Sequence, residues 1–296
     1  MESHGDFCNL CGSDESVEVF AAGVAQRNRI VRCGACGLLY ASPCITDSFD
    51  EQYDPTFVSQ AIATEPPRVQ KERLQLRDYK AIRDRLSVAY PRRGRLLEIG
   101  SGFGFSLDYF RRDGWFTTGV DQSRELCAYA TEVFNQTVIA SSISEAPLEA
   151  DAFDAVIMLH VIEHVPNPLV TMRKIFDVLQ PGGTLVLETP RYDTLMFKLL
   201  GRRERSVACD GHVYFFTVET LSRLATRAGF VVQDTEFVGR SMTISRFLYN
   251  IGVVSKSRAV KTALESLSTK LRLDRFHLYL NLRDMQRVYL VKPLRS

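Results

Sequence analysis

No segment of the sequence approaches the roughly 20 consecutive apolar residues that a bilayer span requires. Met1 to Asp6 also lacks the basic stretch and apolar run of a secretory leader. The two absences lead to the expectation of a soluble, cytoplasmic protein. Excess charge of one sign is missing as well: 37 Lys and Arg face 35 acids, a net of +2. So weak a summed field gives no reason to expect nucleic acid or another polyanion as partner. There is no internal repeat and no low-complexity tract. What is present is a chain of 296 residues that is 45% hydrophobic, enough to bury one main domain with small additions.

Seven cysteines without a leader read as reduced thiols rather than disulfides. Four of them form two close pairs, Cys8 with Cys11 and Cys33 with Cys36. Each CxxC makes a knuckle that presents two thiolates to one ion, and two knuckles complete a tetrahedral zinc site with no open position. Residues 8–43 hold too little apolar material to fold without such a crosslink, so the zinc is expected to be structural. A thioredoxin-like dithiol is disfavoured, because neither pair lies in a βαβ setting. Cys44, Cys127 and Cys209 receive no role.

Beyond this module, residues 46–93 mix charged and apolar positions at helical spacing (Leu74, Leu76, Tyr79, Ile82, Leu86) and read as a helical connector. After Pro91 short β-type runs alternate with amphipathic helical stretches, the pattern of a doubly wound, mostly parallel sheet covered on both faces. The expected strands are residues 95–99, 117–121, 155–160, 184–189 and 230–238. The expected helices are 106–113, 123–135, 169–179 and 218–228. Residues 239–274 read as a helical, partly basic insertion or lid, followed by β-type runs at 277–282 and 286–291.

The first of these strands ends in Glu98, Ile99, Gly100, Ser101, Gly102, Phe103 and Gly104, then enters a helix. Glycines there permit a sharp turn and close approach of a ligand, and the helix N-terminus offers free N–H groups. The next strand ends in Asp121, about twenty residues on, where an acid accepts the hydroxyl hydrogens of an adenosine ribose. A nucleoside cofactor follows. The spacing ExGxGxG, with Phe105 where a dinucleotide fold wants its last glycine, disfavours NAD and FAD.

LLEIGSGFGFS, GVDQS, FDAVIMLHVIEHVPNP, LQPGGTLVLETP and GHVYFFTVETLSRLATRAGF together resemble the S-adenosylmethionine-dependent methyltransferases with a Rossmann-like, seven-stranded sheet, of the type that includes the ubiquinone-pathway O-methyltransferases. CGLLYASP, after the second knuckle, is similar to the N-terminal zinc ribbons of some sugar and natural-product methyltransferases. The resemblance implies S-adenosylmethionine as cofactor, with Glu98 orienting the loop and the methionine ammonium. Gly100, Ser101, Gly102 and Gly104 would bracket the methionine part and Asp121 would hold the ribose. Gln122 would lie beside the adenine, and Ser142 and Ile143 occupy the positions that meet the adenine edge, where the family often has Asp then Ala.

Methyl transfer to oxygen needs an aligned acceptor and a base for its proton. The histidines are His4, His160, His164, His212 and His277. His212, in GHVYFF, is placed first as base; His160, at the carboxyl end of a strand where doubly wound sheets bind ligands, is placed second and also faces the cofactor. His164, in the EHV motif, reads as structural, although with Glu163 it can help hold a divalent cation, as the resemblance allows. Leu195 to Leu200 followed by Arg202, Arg203 and Arg205 is an apolar-then-basic stretch that reads first as a solvated helix end with ordinary basic C-terminal charges, and second as a grip for a phosphate or a membrane headgroup. The expected reaction is methylation of a small-molecule acceptor, natural product, sugar or quinone-like. The rivals are an RNA methyltransferase that holds RNA with its ribbon and a non-catalytic interaction protein that keeps the fold. Near-neutral charge and the absence of an NPPY-type motif count against the first, and the intact Glu98, glycine loop and Asp121 against the second.

Overall fold

A computed structural model of the protein describes residues 7–23, 28–43, 76–204, 207, 211–255 and 257–294. Most of the expected connector (residues 46–75), together with His4, Cys44, Arg205 and Cys209, lies outside them.

The N-terminal module is a small antiparallel sheet of β1 (Ser16–Phe20), β2 (Arg29–Cys33) and β3 (Leu39–Ser42). Helix α1 (Leu76–Ala89) then leads through a turn into β4 (Arg95–Ile99). The chain continues as α2 (Phe105–Arg112), β5 (Phe116–Asp121), α3 (Arg124–Phe134), β6 (Thr137–Ala140), β7 (Phe153–Leu159), α4 (Pro168–Val178) and β8 (Leu179–Pro190). It closes with α5 (Leu195–Leu200), β9 (Tyr214–Phe215), α6 (Val218–Arg227), β10 (Val231–Thr243), α7 (Ile244–Val254), α8 (Arg258–Lys270) and β11 (His277–Val291).

The main sheet has seven strands in the order β10-β11-β8-β7-β4-β5-β6. Only β11 runs against its neighbours. This is the α/β, Rossmann-like arrangement that the sequence pattern implies. Central strands of such a sheet are covered on both faces and so read as continuous apolar runs: Val156, Ile157 and Met158 of β7 and Leu185, Val186 and Leu187 of β8 are completely buried. Local chemistry sets the helix starts. Ser123 caps α3 through Leu126 N–H, Asn167 caps α4 ahead of Pro168, and Thr217 and Thr220 form a reciprocal capping box on α6.

Two expectations about this region change. The segment expected to be helical from residue 239 begins as strand, because β10 runs to Thr243 and pairs as far as His277. The two runs 277–282 and 286–291 form one strand, β11. Alternation along a projecting two-stranded ribbon needs no apolar face on the core, so its composition did not mark it as strand. β6 is a four-residue edge strand with no fully buried residue, and its sequence carries no strong pattern.

The cysteine module is not a separate bead. β3 pairs with β9, and Ala41 N–H donates to the Val213 carbonyl at 2.8 Å. Asn9 donates to the Tyr214 hydroxyl and Arg227 to the Leu10 carbonyl. Cys8, Leu10, Val31, Leu38 and Tyr40 share one hydrophobic core with Val165, Leu169, Val213, Tyr214 and Phe216 of the main domain.

Candidate cofactor and active site

The glycine loop between β4 and α2 takes its shape from backbone that only glycine adopts easily: φ is 73° at Gly100, 52° at Gly102 and 79° at Gly104. A side chain at Gly100 would collide with Val161, and one at Gly104 would sit 2.7 Å from Ala130 Cβ. Asp121, buried at the end of β5, ties the loop down. Gly102 N–H donates to its Oδ2 at 2.8 Å and Ser123 N–H to its Oδ1 at 2.9 Å. An ionised carboxylate has about four acceptor positions, enough for these amides and a pair of ribose hydroxyls. Glu98 is buried at the end of β4 and accepts from Ser106 Oγ, which joins the strand to the first turn of α2.

Ser101 Oγ is buried against Gly119 of β5, with no hydrogen-bond partner among the described residues. Gln122 is exposed at the strand end. Ser142 donates to Glu145 Oε2 at 2.8 Å, while Ile143 is buried in the main core. The two therefore divide into a polar group near the surface and an apolar one behind it.

The second constellation occupies the carboxyl ends of β7 and β8. His160 has φ 58°, a left-handed conformation unusual for a side chain of its size. Its Nδ1 is 3.8 Å from Glu163 Oε1 and its Nε2 3.5 Å from Glu188 Oε1, with 38% of the side chain exposed. Burial lowers its basicity, but the neighbouring carboxylates Glu163 and Glu188 outweigh that and push its pKa up to about 9. Glu163 answers in the opposite sense: against burial, His160, His164 and His212 hold it down at about 2. Arg287 Nε and Nη2 lie 2.8 and 2.7 Å from Glu188 Oε2, completing a charge-balanced row that is buried at Glu163, Glu188 and Arg287 and open to solvent at His160.

His212 is 9% exposed. Its Nδ1 is 3.3 Å from the buried Tyr192 hydroxyl, and its ring meets that of His164 edge-on at 4.6 Å. His164 Nδ1–H donates to the Gly211 carbonyl at 2.6 Å, and burial holds its pKa below the ordinary value. Thr189 Oγ1 donates to Glu163 Oε2 at 2.9 Å. Glu163, His164 and His212 thereby bring three ligand atoms within 4.8 Å of one another, a spacing at which one divalent cation can be held.

A model of a methyltransferase domain matches residues 70–235, over half of the chain. The chain belongs to that family. The ubiquinone biosynthesis O-methyltransferase of Psychrobacter arcticus is 30% identical over 154 residues, which cover 47% of this chain and 60% of that protein. The protein of the same name from Xanthomonas campestris is 35% identical over 118 residues, 38% of this chain and 47% of that protein. The chain thus spans about half to three-fifths of the length of these curated relatives. Among solved structures, a complex of the Haloferax volcanii Trm112 methyltransferase activator with a methyltransferase matches with a TM-score of 0.53 at 15% identity, covering 80% of this chain and 97% of that one. At that identity the match speaks for the fold alone.

In the N-terminal module, Cys8 Sγ lies 3.5 Å from Cys36 Sγ and Cys11 Sγ 3.4 Å from Cys33 Sγ, and all four sulfurs are within 4.8 Å of one another. A tetrahedron with metal–sulfur bonds of about 2.3 Å has edges of about 3.8 Å, so the donor set fits a single tetrahedral ion. Cys127 stands apart on α3, its thiol pushed up to about 12 by burial and by the Asp121 carboxylate.

Sequence reasoning passed over Tyr192, Glu188 and Arg287. A charge at the carboxyl end of an otherwise apolar strand, as Glu188 is in LVLETP, was the available signal. Its partner Arg287 lies 99 residues away on the antiparallel strand, and nothing local announces it.

Proposed function

We propose that this protein transfers the methyl group of S-adenosylmethionine to an oxygen of a small-molecule acceptor, quinone-like, sugar or natural product in class. The observation that carries the reading is the glycine loop locked to Asp121 on the same sheet edge as the histidine and carboxylate row. Glu98, Gly100, Ser101, Gly102 and Gly104 would hold the methionine part. Asp121 would take the ribose, and Gln122, Ser142 and Ile143 the adenine. When bound, the cofactor supplies an electrophilic methyl group on a sulfonium.

The protein's own task is alignment and proton removal. His212 is assigned the base. If the Tyr192 hydroxyl accepts its Nδ1 proton, Nε2 keeps the lone pair that an acceptor hydroxyl needs. His160, held protonated at neutral pH by Glu163 and Glu188, donates rather than accepts, and its part is to orient ligand beside the loop. The convergence of Glu163, His164 and His212 favours a second reading, in which His212 ligates a divalent cation that polarises the acceptor oxygen.

The four cysteines would carry a structural zinc, and a reducing, cytoplasmic setting would keep their thiols available. Native mass spectrometry of the purified chain, with and without S-adenosylmethionine, tests the assignment. One zinc and one cofactor per chain are expected. Labelled methyl transfer to catechol-type and sugar acceptors should then stop on His212→Gln and, under the base reading, survive chelation of added divalent cations. A chain that binds zinc but no cofactor would refute the assignment.

A further inference from the structure

Between β10 and β11 the chain leaves the main sheet. β11 pairs with β8 only from Met285 onward, opposite Pro190, so residues 277–284 and the end of β10 project past the carboxyl edge and carry α7 and α8 with them. Residues 239–283 hold nine Lys and Arg against two acids, a net of +7 in a chain whose total is +2, which leaves −5 for all other residues.

The second helix of this arm is built inside out. Ser268 is its one buried residue, and Ser268 Oγ donates to Ser245 Oγ of α7 at 2.5 Å. Lys261 packs over the Tyr249 ring of α7, its Nζ 4.7 Å from the centroid, and its backbone lies against Gly252. The face turned to α7 is therefore Lys261, Leu264 and Ser268. Val260, Leu267 and Leu271 form a separate stripe roughly 80° round the helix, and they are 41%, 45% and 56% exposed. Phe276 follows at 57%. A helix whose only neighbour is water puts these faces the other way round.

We propose that this arm docks on an anionic lipid surface, with Val260, Leu267, Leu271 and Phe276 entering the headgroup boundary and Lys270, Arg272 and Arg275 meeting its phosphates. Charge selects this occupant. A second copy would pair through a two-fold axis that sets the same patch against itself, here +7 against +7. A nucleic acid backbone would match the charge and leave the leucines in water. The lipid surface answers both. The inference does not depend on methyl transfer and stands or falls separately from it.

The test is co-sedimentation of the full chain with vesicles of phosphatidylcholine alone or of phosphatidylcholine mixed equally with phosphatidylglycerol. Binding to the mixed vesicles and not to the neutral ones is expected. It should weaken with salt and fall at least about tenfold in Leu267→Ser/Leu271→Ser/Phe276→Ser and in Lys270→Glu/Arg272→Glu/Arg275→Glu. The replaced side chains are exposed, so the melting curves of both variants should match that of the parent. Absence of binding to the mixed vesicles, or unchanged binding in both variants, would overturn the proposal. So would a concentration-dependent dimer that the leucine variant abolishes, which would give the face to a second copy.

Discussion

Replacing Asp121 by Asn changes one oxygen to an NH₂ group and little else in shape. In the folded protein both carboxylate oxygens accept backbone amides, from Gly102 at 2.8 Å and Ser123 at 2.9 Å. The variant must aim a donor at one of these donors in a buried position. A hydrogen bond to a charged group contributes about 1.5–3 kcal/mol, so the loss should lower the melting temperature by about 5 °C. The same substitution removes the carboxylate proposed to receive the ribose and loosens the loop. Cofactor affinity should fall roughly 10- to 150-fold. Calorimetric titration with S-adenosylhomocysteine and with its 2′-deoxy analogue separates the two effects: removal of the hydroxyl should weaken binding to the parent protein and have little effect on the variant. If the variant binds within about threefold of the parent, or if the analogue loses affinity equally in both, the ribose role of Asp121 is wrong.

His212→Gln should lower turnover about 10²- to 10⁴-fold while leaving cofactor affinity unchanged; a weakened cofactor with unchanged turnover would move His212 out of the chemistry. The His160 pairing gives a pH signature. Its pKa is raised from 6.5 to about 9, so its stabilisation is complete below about 6.5 and disappears as pH rises through 9, while Glu163, lowered from 4.5 to about 2, contributes fully above 4.5 and fails as pH falls toward 2. Melting temperature should therefore drop between neutral pH and pH about 9.5 more steeply in the parent than in His160→Gln, and parallel profiles would show that the pairing is not felt. Chelation that strips the Cys8, Cys11, Cys33 and Cys36 site should speed amide exchange in residues 211–216 along with the module itself, since β3 pairs with β9; exchange confined to the module would contradict the coupling.

The proposed cofactor half of the site can be read from the sequence because its residues are local. Glu98, Gly100, Gly102 and Gly104 lie within seven consecutive residues, and Asp121 follows at one strand-helix-strand interval. Strand β4 has the bounds that its apolar run implies. The histidine and carboxylate cluster, to which the acceptor is assigned by proposal, is assembled from distant pieces: His160 and Glu163 after β7, Glu188 at the end of β8, Tyr192 beyond it, His212 on the loop before β9, and Arg287 on β11. Histidine is rare enough in this chain for His160 and His212 to stand out, but the carboxylates that decide their protonation are visible only after folding. The projecting arm shows the complementary limit. Its residues announce helix and positive charge, whereas the outward turn of Leu267 and Leu271 depends on which face Ser268 gives to Ser245.

The bond between β3 and β9 bears on how the chain can be cut and recombined. A break near residue 45 looks natural on the sequence, where a cysteine-rich piece gives way to a charged connector. In the fold it would strip Val213, Tyr214 and Phe216 of their neighbours Leu10, Leu38 and Tyr40, and leave an unpaired strand edge beside His212, an invitation to aggregation. The module cannot be traded as a cassette between relatives of this fold. Changes on its inner face must be matched by changes on the loop it supports, so the two surfaces should drift together in sequence even though about 170 residues separate them along the chain.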